Sequence, residues 1–281
     1  MIVFERIQEV SSYVNTQRAK QLTIGFVPTM GALHQGHISL VERSVRENDI
    51  TIVSIFVNPI QFNNPEDLKK YPRNLQQDIE MLEKANVDVV FTPSEKEMYP
   101  EENHQLYDLG EFANVMEGAF RPGHFNGVAV VVHKLFDIVK PHKAYFGEKD
   151  YQQLQVIKKL VKDHNIPVEI VPCPISRDVD GLALSSRNAR LSSKMRDAAP
   201  FIYAQLLKAR EQAKQPDASA EKIVSFIYDS FAEHPLLKLE YFVVADGSKL
   251  QPVTNGLKED TYGFIAVFAG DIRLIDNIRL F

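Results

Sequence analysis

Apolar positions in the first 170 or so residues follow two alternating patterns. Short, nearly unbroken apolar runs occur at 24–27, 49–57, 87–92, 143–146 and 168–172. Runs of that length without polar alternation suit strands of a parallel sheet covered on both faces. Between them the spacing changes to three and four. Ile7, Val10 and Val14 share one face of a helix over 5–20; Ile38, Val41 and Val45 share a face in the next; Leu75, Ile79 and Leu82 are in phase over 74–85; and 151–164 reads as a further helix. Residues 126–139 (NGVAVVVHKLFDIV) alternate poorly and are too long for a typical strand, which predicts a buried helix despite its valines. Residues 93–104 read as a polar loop.

Strand and helix alternate five times over roughly 170 residues, the pattern of a doubly wound, Rossmann-like parallel sheet. From 176 the pattern changes. A long amphipathic helix is predicted over 193–214, capped by Ser192 or Ser193, followed by a linker at 214–219 and a second helix to about His234. Strands at 238–245, 262–269 and 272–276 read as antiparallel, with Gly270-Asp271 as the last turn. The expected organisation is a nucleotide- and substrate-binding α/β domain at 1–175 and a smaller α+β domain at 176–281 acting as a lid.

The most informative stretch is 24–41, IGFVPTMGALHQGHISLV. Pro28 is expected to end the first strand, Gly31 to sit in the turn, and the helix to begin around His34-Gln35-Gly36-His37. A helix start carries unpaired N–H groups and partial positive charge, which favours phosphates. Two imidazoles three residues apart add donors on the same side, and Gly36 lets a flat group approach the backbone. This predicts a nucleotide with its phosphates at the helix mouth, the bland alternative being histidines satisfied by water and backbone. The loops carrying His34, Asn58 and Gly147 each follow a strand, so they are expected to share one crevice at the carboxyl ends.

Three other strings carry chemistry. In NPIQF (58–62), Gln61 offers an amide suited to hydroxyls and a carboxylate, although taken alone the string is better explained as an Asn-Pro turn. In GEKD, Gly147 allows close approach to a ribose, Asp150 can accept from its hydroxyls and Lys149 can reach phosphate; an exposed helix start is the alternative. In Leu184-Ser185-Ser186-Arg187, two hydroxyls and a guanidinium can grip phosphate oxygens, or the serines can simply open a helix.

Composition narrows the class. The 281 residues carry 44% hydrophobic and 25% charged side chains, ordinary for a globular protein. A net charge of −5 argues against a nucleic-acid polymer as partner but not against a small nucleotide. Cys173 is the single cysteine, which excludes an intrachain disulfide framework and a CxxC metal site. No run of about 18 apolar residues exists and the first residues lack a signal-like stretch, so no membrane association and a cytoplasmic location are expected.

PTMGALHQGH, NPIQF, FGEKDYQQ and DGLALSSRN, in this order and spacing, resemble the pantothenate synthetase (pantoate–β-alanine ligase) family of the HxGH nucleotidyltransferases. The likeness covers the first domain and the LSSRN segment and is weaker over 200–281; Val130 stands where threonine is expected in many members. The resemblance implies an AMP-forming ligase that condenses pantoate with β-alanine through pantoyl adenylate, using ATP and Mg²⁺, as a homodimer. It implies ATP contacts from Met30, Gly31, Ala32, Leu33, His34, Gln35, Gly36 and His37. Further ATP contacts are implied for Gly147, Glu148, Lys149, Asp150, the backbone of Ser176, Leu184, Ser185, Ser186 and Arg187. The groups expected to carry catalysis are His34, His37, Lys149, Ser185, Ser186 and Arg187, with His37 as the proton donor. Gln61 and Gln153 are implied to hold pantoate, with β-alanine also approaching Gln61. The metal ligands are open; Asp78 is a weak candidate. The 121–125 string RPGHF reads as a loop over the crevice with its role open. Tyr71-Pro72-Arg73 and Met98-Tyr99-Pro100 also match family strings and read as loop packing. An enzyme of the same superfamily that leaves a nucleotide on its product, a tRNA synthetase, or a nucleotide sensor without turnover are the rival readings.

Overall fold

The structure, a computed structural model, describes residues 1–101, 105–254 and 256–281. Nine strands are described: β1 Ile2–Phe4, β2 Ile24–Thr29, β3 Ile50–Ile55, β4 Val89–Phe91, β5 Lys143–Gly147, β6 Glu169–Cys173, β7 Leu237–Asp246, β8 Thr261–Ala269 and β9 Ile272–Arg279. The α-helices, in order, are α1 Ile7–Ala19, α2 Gln35–Glu47, α3 Pro65–Lys70, α4 Leu75–Lys84, α5 Glu95–Met98, α6 Glu117–Phe120, α7 His124–Val139, α8 Tyr151–Asp163, α9 Ser193–Ala198, α10 Phe201–Ala213 and α11 Ala220–Ala232. The chain forms two compact units. The first comprises Met1–Ala113, Gly118–Glu148 and Gln153–Pro174; the second comprises Asn114–Glu117, Lys149–Gln152 and Ile175–Phe281.

In the first unit a six-stranded sheet runs β1-β4-β3-β2-β5-β6, and its strands pair in parallel throughout. Strand parity sorts its side chains. Ile24, Phe26 and Ile52 enter a core shared with α1, α7 and α8, while Val27, Val53 and Val90 enter the opposite one with Ile38 and Val41 of α2 and Leu82 of α4. A sheet covered on both faces accounts for the missing alternation. From β2 the order proceeds through β3 to β4 on one side, then returns to β5 on the other. The switch point lies between β2 and β5, where ligands of such sheets bind.

Helix α7 is buried almost all round, from His124 and Phe125 to Ile138 and Val139. A valine costs a helix about 0.5 kcal/mol against alanine, whereas burying it contributes about 1.5 kcal/mol or more, so burial decides.

Several expectations need correction. Pro28 lies inside β2, opposite Ser54 of β3. Its nitrogen faces the β5 side, as does the Ile24 carbonyl that accepts from His142 N–H, and pairing with β5 ends at Phe26. The missing N–H therefore breaks no ladder bond. Leu75 is 44% exposed, and the inward position of α4 is held instead by Asp78, 2% exposed, above Leu82. The expected loop at 93–104 contains α5; its last residues, 102–104, lie outside the described residues. The short edge strand β1 was not foreseen. The expected 193–214 helix is two helices, because Pro200 has no N–H to continue the ladder and its ring excludes the preceding turn.

In the second unit the sheet β7-β8-β9 is antiparallel and packs against α10 and α11 through Leu206, Ile223, Ile227, Val244 and Val267. No helix among the described residues is long and apolar enough to cross a membrane.

Candidate active site

The turn from β2 into α2 is fixed by two buried side chains. Thr29 Oγ1 donates to the Ser54 carbonyl at 2.7 Å and accepts from Gly31 N–H at 3.2 Å. Asp78 accepts from Ala32 N–H through Oδ2 at 2.9 Å and from Leu33 N–H through Oδ1 at 2.7 Å. Gly31 and Ala32 both take left-handed backbone, at φ +78° and +50°. A side chain at Gly31 would come within 2.9 Å of Asp78 Oδ2. Burial pushes the Asp78 carboxyl above its ordinary range, against the two backbone N–H groups that favour its charge. With each oxygen accepting from a backbone N–H, Asp78 organises the loop.

The α2 start differs from the expected open cluster of N–H groups. His34 is its N-cap, and Nδ1 of His34 accepts from Gly36 N–H at 3.1 Å. The His34 carbonyl accepts from His37 N–H at 2.8 Å and Ile38 N–H at 3.1 Å. Nδ1 of His37 in turn accepts from His34 N–H at 3.4 Å. The histidines thus form a reciprocal capping box. Because both Nδ1 atoms accept, both rings carry their proton on Nε2. The two rings stand with their centroids 4.1 Å apart.

Beyond β3, Asn58 begins a 3-10 turn, Pro59–Gln61. Asn58 Nδ2 donates to Gln61 Oε1 and to the Gly127 carbonyl, each at 3.1 Å, and Gln61 Nε2 lies 3.0 Å from Met30 Sδ. His124 Nδ1 donates to the Gln61 carbonyl at 2.8 Å, while its Nε2 accepts from Arg121 at 3.1 Å. The RPGHF string, whose role was open, therefore holds the Gln61 turn on α7. The carboxyl ends of β2, β3 and β5 within the first unit carry His34, Asn58 and Gly147 respectively. A Cβ at Gly147 would meet nothing within 4 Å, so the backbone there is approachable. Gln153 is half-buried on α8, whereas its neighbour Gln152 is buried and bonded to Glu117 N–H at 3.0 Å and the Val115 carbonyl at 2.8 Å.

Glu148 belongs to the first unit, whereas Lys149, Asp150, Ser176, Leu184, Ser185, Ser186 and Arg187 belong to the second. Lys149 Nζ stands 3.7 Å from Asp150, and the Lys149 carbonyl accepts from Asn277 at 3.1 Å. Lys149, Ser185 and Asp276 line one small cavity. Leu184 N–H donates to the Ser176 carbonyl at 3.0 Å, closing the 176–184 segment. Ser185 Oγ caps the turn Ser186–Arg190 by accepting from Arg187 N–H at 3.3 Å. Beneath this segment Arg177 grips Asp276 through two bonds of 2.6 and 2.9 Å.

Thr29 was not anticipated from the sequence; Asp78 was expected only as a weak metal candidate, Asn58 only as the head of its loop, Tyr99 as loop packing and His124 within a string whose role was open. The signal for Asp78 as loop organiser was a carboxylate on the inward stripe of an amphipathic helix.

A doubly wound sheet whose switch point carries an imidazole-capped helix defines a nucleotide-binding α/β enzyme. A family model described as pantoate-beta-alanine ligase matches residues 2–279. The chain is 50% identical over 281 residues to pantothenate synthetase of Bacteroides fragilis, covering 99% of each chain. It is 46% identical over 279 residues to that of Aquifex aeolicus, again covering 99% of each. Among solved structures it matches pantothenate synthetase from Thermus thermophilus with a TM-score of 0.93 at 41% identity, covering 100% of both chains. It also matches pantoate-beta-alanine ligase from Francisella tularensis complexed with beta-gamma ATP and β-alanine, with a TM-score of 0.83 at 44% identity, covering 100% of this chain and 98% of that one. The chain belongs to the pantoate–β-alanine ligase family, enzymes that form an amide bond.

Proposed function

We propose that this ligase activates pantoate with ATP at the mouth of α2 and passes the acyl group to β-alanine. The pantoate carboxylate is already a nucleophile; it needs in-line placement at the α-phosphorus and neutralised charge on the departing pyrophosphate. The observation that supports this reading is the reciprocal histidine cap, which leaves Nε2–H as the ring donor of each histidine at the start of α2. His37 serves as proton donor. Lys149, Ser185, Ser186 and Arg187 take the remaining phosphate charge. Gly147, Glu148 and Asp150 face the ribose, and the Ser176 backbone faces adenine. Gln61 and Gln153 hold pantoate. Attack by the β-alanine amine on the acyl carbon then releases AMP.

Mg²⁺ enters with ATP. No cluster of three or more His, Cys, Asp or Glu gathers among the described residues, and the two Asp78 oxygens already accept from the loop. Bound with ATP, Mg²⁺ would supply charge neutralisation for the departing pyrophosphate. The mixed anhydride must be shielded from water, a role assigned to 176–281 as a lid. A homodimer, implied by the family resemblance, and a cytoplasmic location complete the reading.

The test is the first half-reaction, with ATP and pantoate present and β-alanine withheld. Wild-type protein should release pyrophosphate and retain an acyl adenylate, and His37→Ala should be defective in this step. Free AMP after β-alanine is added separates a ligase from an enzyme that leaves the nucleotide on its product.

A further inference from the structure

We propose that Tyr99 is a positioning residue that fixes which end of the Gln61 amide faces the substrates. The inference rests on the reading of Gln61 as a pantoate ligand.

An amide side chain presents either a carbonyl or an NH₂, and the two differ little in shape, so something must choose. Here the choice starts from the Gly127 carbonyl, which can only accept. The Asn58 end facing it at 3.1 Å must therefore be Nδ2, and the same Nδ2 donates to Gln61 Oε1 at 3.1 Å. Gln61 is left with Nε2 as its outward group, 3.0 Å from the Met30 thioether. A thioether is a weak acceptor, so a carboxylate oxygen exchanges with it favourably.

The opposite end of Asn58 needs a donor, because Asn58 is 1% exposed. Tyr99 supplies it: its hydroxyl donates to Asn58 Oδ1 at 3.0 Å. Burial pushes the Tyr99 phenol well above its ordinary range, so it remains a donor wherever the enzyme works. Its ring is held independently, against Phe56 with centroids 6.1 Å apart and beneath Lys134 Nζ at 5.5 Å. The backbone of the turn is also fixed, since a Cβ at Gly127 would lie 2.6 Å from Gln61 Cα. With backbone and ring both held, the hydroxyl sets the polarity of a chain running from Tyr99 through Asn58 to Gln61. Each donated bond polarises the next amide and strengthens the outward N–H.

Steady-state kinetics of Tyr99→Phe provides the test. The substitution keeps the ring and removes only the hydroxyl. KM for pantoate should rise about five- to tenfold, the equivalent of one hydrogen bond, while KM for ATP stays within about twofold. In a Gln61→Ala background the same substitution should leave KM for pantoate unchanged, because coupled residues are not additive. A parallel rise in both KM values, an additive double variant, or an unchanged pantoate KM in Tyr99→Phe alone overturns the proposal. If Tyr99→Phe does not fold, Asn58→Leu cuts the same chain from its middle and must give the same selective rise. Should Gln61→Ala itself leave pantoate KM untouched, the assignment of Gln61 fails first, which separates the two claims.

Discussion

Removing the Asp78 carboxylate is the sharpest perturbation of the nucleotide loop. Asp78→Ala deletes two hydrogen bonds, at 2.9 Å from Ala32 N–H and 2.7 Å from Leu33 N–H, from a residue 2% exposed. A hydrogen bond to a charged group contributes about 1.5–3 kcal/mol, and an orphaned buried N–H costs about as much. Against this stands the desolvation that raises the Asp78 pKa, which the variant relieves. Ala32 sits at φ +50°, a conformation disfavoured by roughly 1–2 kcal/mol for a residue with a Cβ, and the bond to Asp78 helps hold it there. The net cost is about 2–3 kcal/mol, or a thermal midpoint lowered by roughly 4–12 °C in a domain of this size. Freed from Asp78, the loop relaxes and displaces the cap at His34, so KM for ATP rises as well. Differential scanning calorimetry and ATP-dependent kinetics on the same preparation read both effects. A variant with the wild-type midpoint and wild-type ATP KM would refute the assignment of Asp78 as the loop's organiser.

Two further expectations concern charge. Glu47 accepts from Arg43 at 2.8 Å, Lys143 at 3.2 Å and Tyr145 at 3.0 Å, and these bonds, Arg43 first, lower its pKa from 4.5 to about 2. A lowered carboxylate pKa means stability that is complete above 4.5 and lost as pH falls toward 2; solvent screening of this partly exposed group limits it to about 1 kcal/mol. Thermal midpoints of Glu47→Gln should therefore fall less steeply than wild type across that window, and parallel curves would contradict the assignment. Arg177→Met strands the buried Asp276 carboxylate and should cost about 3–5 kcal/mol in denaturant unfolding, most of it recovered by adding Asp276→Asn; a single variant as stable as wild type would contradict it.

The parallel sheet was readable from residue patterns because burial on both faces leaves unbroken apolar runs, and Phe26 and Val27 duly enter opposite cores. The exceptions have local causes. β1 is three residues long, too short for any period to register. Pro28 and Pro200 carry the same chemical signal with opposite outcomes. One sits where the neighbouring ladder has already ended, and the other where a helix needs its N–H. Only pairing geometry separates these cases. At the site, the strings containing His34, His37 and Gln61 were visible as residue types at telling spacings. Their tautomers and amide orientation were not, since these depend on Gly36, Gly127 and Tyr99 at hydrogen-bond distance. Asp78 stood in plain view on the inward stripe of α4, but a carboxylate on the apolar stripe of a helix says only that it has a partner, not which loop it holds.

The claim on which the mechanism turns is that the imidazole pair at the start of α2 stabilises charge developing on phosphate. Rapid-quench measurement of pyrophosphate release from ATP and pantoate, comparing His37→Ala with wild type, tests it most directly. Loss of one such donor predicts a rate lower by about 10²-fold or more. A His37→Ala rate within a few-fold of wild type would place phosphate stabilisation elsewhere and contradict the account.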